Sequence, residues 1–241
     1  MTNKNEMPDI SVVVLAYRSE EAVEGFVELL VSSLEKNGLF WELILVGNYF
    51  EGKGDRTPEV VKRIADQDSR IKAVVKKKQG MMGWDMKSGL QVATGKTLAI
   101  IDGDGQMPHE DVIRVYDLMM EKGFDFVKTV RVQRNDGFYR KLISVVFNAL
   151  FKILFPGING WDMNSKPKIM SRELYQKMDI QSNGWFIDAE IMILVRRFKA
   201  RIVEVETVFH GIYHRASFVK PLSILEFLGN LIWYRIKEFK E

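Results

Sequence analysis

Residues 97–106 read Thr-Leu-Ala-Ile-Ile-Asp-Gly-Asp-Gly-Gln. An apolar run of buried-strand character leads straight into two aspartates separated by one glycine, so the stretch predicts a strand whose carboxyl end carries acid. The same signature occurs three times before it, at Ile10–Ala16 (ISVVVLA), Trp41–Val46 (WELILV) and Ile71–Lys76. The segments between these runs have helical character. Glu20–Lys36 sets Val23, Phe26, Val27, Leu30 and Leu34 on one side. Pro58–Asp66 opens with proline near its start, and Met86–Ala93 is closed by Thr94-Gly95. Strands alternating with helices predict an α/β fold, with a mostly parallel sheet and right-handed crossovers. Ligands on such sheets bind beyond the carboxyl ends of the strands. Residues 15–20, 47–57, 77–85 and 102–106 are therefore predicted to converge on one crevice.

The second half is less regular. Phe124–Val132 and Ile202–Phe209 predict strands, Gly137–Phe155 a long apolar helix and Pro221–Lys240 an amphipathic helix. No repeat, low-complexity segment or linker interrupts the chain, and 241 residues fit one domain over 1–241 with an appended C-terminal helix at 221–241. Hydrophobic residues make up 46%, enough for a sizeable core. The net charge of +3 is not clustered, which argues against a nucleic-acid partner. The absence of cysteine excludes a disulfide framework and a Cys-based zinc site. Met1–Asp9 has no apolar core of a signal peptide, and no apolar run reaches about 18 residues. These features predict a cytoplasmic protein that lies on a membrane or works free of one.

Two carboxylates at the mouth of a crevice suit a hard cation, Mg²⁺ or Mn²⁺, whose shell substrate phosphates would complete. Gly103 and Gly105 allow close backbone approach, and Gln106 offers one more oxygen. The same residues also make an ordinary Gly/Asp turn ahead of a helix start at Pro108-His109-Glu110; the motif alone leaves both readings open. Arg131, Arg134, Arg140 and Arg215 are candidates for phosphate, since the planar guanidinium binds two oxygens at once. Arg140, Ser144, Asn148 and Lys152 recur every fourth residue and share one helical face, while the rest of that helix is almost all apolar.

The stretches VVVLAYRSEE (12–21), WELILV (41–46), GMMGWDMKSGLQVATGK (80–96), IIDGDGQMPHEDV (100–112), FYRKLIS (138–144) and IVEVETVFHGIYHR (202–215) follow one another as they do in family 2 glycosyltransferases. The chain resembles that family over most of its length, and within it the polyprenyl-phosphate sugar transferases. The resemblance implies the glycosyltransferase-A fold and a nucleotide-sugar donor, a UDP- or GDP-sugar. It implies Mg²⁺ or Mn²⁺ held through Asp102, Asp104 and Gln106, and a polyprenyl-phosphate acceptor. It assigns Arg131, Arg140, Ser144 and Arg215 to donor or acceptor phosphates, with Asp104, Arg140 and Arg215 nearest the reaction. Tyr17, Glu20 and Asn48 are expected to line the nucleoside pocket, with Asp102 and Gly103 beside the diphosphate; Asp85 either adds a carboxylate to that donor pocket or caps the following helix. Asp162 matches a family aspartate, with a structural or acceptor-side role.

The chain departs from the family at several places. Gly47-Asn48-Tyr49 stands where members carry Asp-Asp or Asp-x-Ser, Leu15-Ala16 replaces Pro-Thr, and Asp85 stands where the family has alanine. Ala216-Ser217-Phe218 replaces Gly-Ser-Lys. These changes bear on base choice rather than on metal or phosphate.

A lipid phosphate is ionised near neutral pH and needs positioning rather than deprotonation. A sugar hydroxyl would instead need a general base, and Asp188 or Glu190 stands where other members place a catalytic carboxylate. The alternative is that both sit at a helix N-terminus, favourable with its dipole. A third reading is a non-catalytic nucleotide-binding subunit. His109, His210 and His214 show no metal-ligand spacing, although His214 is next to Arg215 and can line the pocket. Leu225, Leu228, Ile232, Ile236 and Phe239 share a face of the last helix, with Trp233, Tyr234, Arg235, Lys237 and Lys240 nearby. That pattern fits a membrane surface or a membrane-anchored partner, and equally docking on the domain itself.

Overall fold

The computed structural model describes residues 6–134, 138–157, 160, 162–210 and 221–240, with backbone alone for 133–134, 138–144, 221–225 and 239–240. Strands β1 (Ile10–Leu15), β2 (Trp41–Val46), β3 (Ile71–Val74) and β4 (Thr97–Asp102) alternate with helices α1 (Ala22–Lys36), α2 (Thr57–Ala65) and α3 (Met82–Leu90). After β4 come α4 (Asp111–Lys122), β5 (Phe126–Arg134), α5 (Phe138–Leu154), β6 (Lys168–Ser171), α6 (Arg172–Lys177), α7 (Ile187–Arg197), β7 (Ile202–Phe209) and α8 (Pro221–Lys240). The seven strands form one sheet in the order β3-β2-β1-β4-β6-β5-β7. β1 to β4 run parallel, β6 is antiparallel to both neighbours, and β5 pairs parallel with β7. This is the glycosyltransferase-A arrangement that the sequence predicts.

Alternation of side chains on the strands divides the core in two. Val13 and Leu15 of β1 join Ile44, Ile100, Met86, Phe151 and Ile191 on one face. Val12 and Val14 join Leu43, Ile101, Phe26, Leu30 and Val112 on the other. Strands buried on both faces need no polar alternation, which explains their uniformly apolar runs.

The register levels the carboxyl ends. Leu15 is opposite Val46 on one side and Asp102 on the other. The chain turns one way from β1 to β2 and β3, then crosses back to β4, so β1 and β4 bound the switch point where a crevice must open. The loops meet there. Gly103 N–H donates to Leu15 O at 2.9 Å and Ala16 N–H to Val46 O at 3.0 Å. Glu20 N–H donates to Thr57 Oγ1 at 3.0 Å. Arg18 and Glu20 both hold left-handed backbone, with φ of 54° and 46°, an unfavourable geometry for non-glycine residues that the surrounding contacts must impose.

Among the elements that differ from the sequence expectation, α3, β6 and α7 have a clear physical reason. α3 starts at Met82 rather than Met86 because the amides of Met81, Gly83 and Trp84 bond to the Asn183 and Gly184 carbonyls, which gives the first turn partners. β6 is four residues long and carries a lysine at its first position, so it leaves no apolar run to read. Nine consecutive residues of α7, Ile187–Val195, are buried, so that helix has no polar face and no amphipathic period.

Gly89 of α3 crosses β1 and β2 so closely that an added Cβ would collide with Val13 and stand 2.8 Å from Val46 Cγ2. Gly89→Ala is expected to lower stability by about 1–3 kcal/mol through overpacking. A thermal melt would show this as a Tm lower by roughly 2–4 °C per kcal/mol.

Candidate active site

Asp102 is the last residue of β4 and is half-exposed at the crevice mouth. Gly105 has φ +72°, a conformation that L side chains rarely adopt, and it turns the chain back after Asp104. Asp104 Oδ1 accepts from Gln106 N–H at 3.1 Å. The far side of the loop is tied to the end of β7: His210 N–H donates to Gln106 O at 2.9 Å, and Gln106 Nε2 donates to His210 O at 3.3 Å. Asp102, Asp104 and Gln106 offer hard oxygen donors, the set that fits Mg²⁺ or Mn²⁺. Among the described residues no three His, Cys, Asp or Glu side chains gather into a metal cluster. A cation here would take the rest of its shell from substrate phosphate and water, as Mg²⁺ usually does.

Behind Asp102 runs a chain of buried charge. Lys166 Nζ lies 3.4 Å from Asp102 Oδ2 and 3.3 Å from Asp188 Oδ2. Lys168 Nζ contacts Asp188 Oδ1 at 2.5 Å. Asp188 and Lys168 have no exposed side-chain surface, and Lys166 has almost none. Next to Lys168 in the sheet, Lys128 is also buried; it donates to Glu204 Oε1 at 2.6 Å and Thr129 O at 2.8 Å. Burial disfavours the Asp188 carboxylate, but Lys166 and Lys168 outweigh it and hold its pKa below the ordinary value. Burial also opposes charge on Lys166, where Asp102 and Asp188 prevail and raise its pKa. One carboxylate cannot offset every cation: burial, together with Lys166 and Lys128, lowers Lys168 to about 8 despite Asp188. Neither Lys166 nor Lys168 was singled out from the sequence, since Lys-Pro-Lys reads as surface.

On the other side of the crevice the two unusual residues turn out to be partners. Asn48 is fully buried. Its Nδ2 donates to Asp85 Oδ1 at 2.9 Å and Ser88 Oγ at 2.8 Å, and its Oδ1 accepts from Lys76 N–H at 2.8 Å. The neighbours dictate the amide's orientation, because a carboxylate needs a donor and an N–H an acceptor. Asp85 also pairs with the buried ammonium of Lys78. That ammonium lies 4.3 Å from the centre of the Tyr17 ring and 5.7 Å from that of Phe50. Tyr17 and Phe50 meet edge-on at 6.1 Å. Asn48 and Asp85 thus form the floor beneath an aromatic pair, and Glu20 stands at the rim, 3.6 Å from Arg56. Lys78 and Phe50 complete this corner and were missed in the sequence. The signal available was the pair of departures at 48 and 85, which compensate each other.

The remaining candidates are held firmly. Arg131 sends Nε and Nη2 to Asp162 at 2.6 and 2.8 Å, a bidentate fork, and lies over the Phe209 ring. Asp188 and Glu190 do lie in the first turn of α7, but their partners are specific. Glu190 accepts the amides of Gln181 at 2.7 Å and Ser182 at 2.8 Å and the Tyr234 hydroxyl of α8. His109 lies 3.2 Å from Glu110. Arg215 and His214 lie outside the described residues, as do the side chains of Arg134, Arg140 and Ser144.

Comparison with known proteins agrees with this architecture. The family described as "Glycosyl transferase family 2" matches residues 11–191. The undecaprenyl-phosphate 4-deoxy-4-formamido-L-arabinose transferase of Pectobacterium atrosepticum is 31% identical over 149 residues, 61% of this chain and 44% of the relative. The aligned region thus spans under half the length of that relative. Among solved structures, mannosyl-3-phosphoglycerate synthase from Rubrobacter xylanophilus superposes with TM-score 0.71 at 18% identity, covering 97% of this chain and 75% of that one. Glucosyl-3-phosphoglycerate synthase from Mycobacterium tuberculosis, in complex with Mn²⁺, UDP-glucose and phosphoglyceric acid, gives 0.67 at 21% identity, covering 95% and 80%. At such identities these structures speak for the fold, and in the second of them the fold holds Mn²⁺ with a sugar nucleotide.

Asp188→Asn would leave two buried lysines around an uncharged amide. It is expected to destabilise the protein by about 3–5 kcal/mol, as loss of one partner of a buried pair does, measured by urea unfolding. The Asp188 pKa is depressed, so its stabilising contribution is complete above the unfolded pKa of about 3.9. That contribution is lost as pH falls through the lower folded value. The deficit of the variant should therefore shrink only on strong acidification.

Proposed function

Within glycosyl transferase family 2, to which this chain belongs, we propose an inverting, metal-dependent transferase that moves a sugar from a UDP- or GDP-sugar to a polyprenyl phosphate. The observation that carries the acceptor is the commitment of both candidate bases. Asp188 is locked between Lys166 and Lys168, and Glu190 is consumed by two amides and the Tyr234 hydroxyl. The hydroxyl-acceptor reading relies on one of these carboxylates to take a proton; a phosphate acceptor, already ionised, needs neither. The Pectobacterium relative, named as an undecaprenyl-phosphate transferase, supports the same choice.

In this reading Asp102, Asp104 and Gln106 hold Mg²⁺ or Mn²⁺. The bound cation supplies charge that offsets the diphosphate and the negative charge developing on the departing nucleoside diphosphate. Tyr17 and Phe50 flank the base, with Lys78, Asn48 and Asp85 beneath and Glu20 at the rim. Asp162 orients Arg131, which together with Arg140, Ser144 and Arg215 positions the acceptor and donor phosphates. The acceptor oxygen then attacks the anomeric carbon as the bond to the nucleoside diphosphate breaks, so the configuration inverts.

A lipid acceptor needs a protein that reaches lipid, and two helices support that. On α8, Ile232, Trp233 and Ile236 are exposed, while Leu231 and Tyr234 face the core. On α5, Phe151 faces the core, yet Val145, Val146 and Ile153 are exposed, Ile153 at 76%. Lys237 lies 5.3 Å from the Trp233 ring centre, a pairing of cation and aromatic suited to the headgroup layer. No helix among the described residues is long and apolar enough to cross a membrane. We place the protein peripherally, on the cytoplasmic face of a membrane or on a membrane-anchored partner.

Labelled UDP- and GDP-sugars, Mn²⁺ and polyprenyl phosphate in vesicles are expected to yield a lipid-linked sugar. Asp102→Asn and Asp104→Asn are each expected to lower kcat by about a hundredfold or more, the scale of losing one preorganised charge-stabilising contact, without change in circular dichroism. Product formed on a saccharide hydroxyl and none on lipid would refute the acceptor. Ile232→Ser with Ile236→Ser should weaken sedimentation with anionic vesicles by about tenfold or more, given roughly 1.5–3 kcal/mol for each fully buried isoleucine side chain.

A further inference from the structure

Lys166 is an unusual neighbour for a metal-binding carboxylate. Its ammonium is nearly equidistant from Asp102 Oδ2 (3.4 Å) and Asp188 Oδ2 (3.3 Å), and Met82 Sδ is its third contact at 3.4 Å. The backbone on both sides is pinned. Ser165 Oγ is 2.7 Å from Thr129 Oγ1, and Pro167 O accepts from Thr129 N–H at 3.1 Å. Asp188 is fully buried and anchored a second time by Lys168. The half-exposed Asp102 therefore shares a cation whose other partner is immovable.

We propose that Lys166 is a positioning residue that occupies Asp102 as an internal counter-cation and yields that carboxylate when a divalent cation arrives. Asp188 makes the exchange possible, because Lys166 keeps a buried partner when it gives up Asp102 and is never left as an unpaired charge in the interior. The arrangement holds the Asp102 carboxylate in place at the crevice mouth before donor binds. It also opposes the metal: a positive charge beside the ligand repels a dication, at a distance where exposed charges in water would already interact appreciably. The site is thereby biased toward a cation that arrives with a nucleoside diphosphate, whose negative charge offsets the repulsion. This inference rests on the metal reading of residues 102–106 and adds to it a residue that the metal does not touch.

The test is Mn²⁺ affinity, read from the electron paramagnetic resonance of free Mn²⁺, with and without UDP or GDP. Lys166→Met is expected to tighten Mn²⁺ binding in the absence of nucleotide by about tenfold, the effect of removing one nearby like charge in a partly solvated site. Lys166→Arg keeps the charge and should restore an affinity within about twofold of wild type, a rescue that a merely structural role does not predict. Lys166→Gln gives the same comparison should the methionine variant not fold. Unchanged or weaker Mn²⁺ binding in a folded, uncharged variant overturns the inference while leaving the metal site standing. Absence of Mn²⁺ binding in every form, with either nucleotide, overturns the metal reading and the inference with it.

Discussion

Asp188 is buried without exposed surface on the second residue of α7, and its two oxygens face two lysines from the strand and loop of the preceding segment. Burying an ion costs several kcal/mol, and only close pairing offsets that. The cost makes the position of each partner hard to vary. Lys168 begins β6, the strand that joins the parallel half of the sheet to β5 and β7, and Lys166 reaches from the same segment to Asp102 at the end of β4. The antiparallel strand, the buried helix and the acidic loop are therefore fixed by one set of charges. If the set were replaced by apolar side chains of similar volume, the core could be equally stable, but the Asp102 carboxylate would lose its contact with Lys166.

The same logic runs through the opposite wall. Glu190, two residues further along α7, binds the amides of Gln181 and Ser182. The carbonyls of Asn183 and Gly184 in turn receive the amides of Met81, Gly83 and Trp84 at the start of α3. Gly83 lies so close to Ser182 O and Gly184 O that a side chain there would collide. α3 then carries Asp85, which fixes Asn48 and Lys78 under the Tyr17–Phe50 pair. Two carboxylates on one buried helix thus organise both sides of the crevice.

The parallel half of the fold was legible because its strands are buried on both faces and announce themselves as apolar runs at Ile10–Ala16, Trp41–Val46 and Thr97–Ile101. The acidic loop and its neighbours were legible by position, since ligands on a parallel sheet bind beyond the carboxyl ends of its strands. β6 and α7 were not. A four-residue strand with lysine at its head, and a helix buried on every side, carry no period for a sequence to display. Lys166 and Lys168 escaped for a related reason, while Asp188 stood out only as a candidate base or helix-terminal acid and not as their partner. A buried charge looks like a surface charge until its partner is known, and here the partners lie about twenty residues apart. Asn48 and Asp85 were each visible as departures from the family, with Asp85 able to restore a carboxylate to the pocket, but the hydrogen bond that joins them spans 37 positions and shows only in the folded chain.

The Tyr234 hydroxyl also bonds Glu190, which gives the last helix a place in this scheme. Burial, and then the bond to Glu190, raise the Tyr234 pKa well above its ordinary value, so it remains a donor across the physiological range. Tyr234 and Leu231 turn inward while Ile232, Trp233 and Ile236 turn outward, so α8 has two apolar-bearing sides and only one is satisfied by the domain. The inward side ends on the carboxylate that holds the loop over α3. Whatever surface covers the outward side thereby bears on a helix joined by two hydrogen-bonded steps, Tyr234 to Glu190 and Glu190 to the 181–182 amides, to the segment that closes over the start of α3.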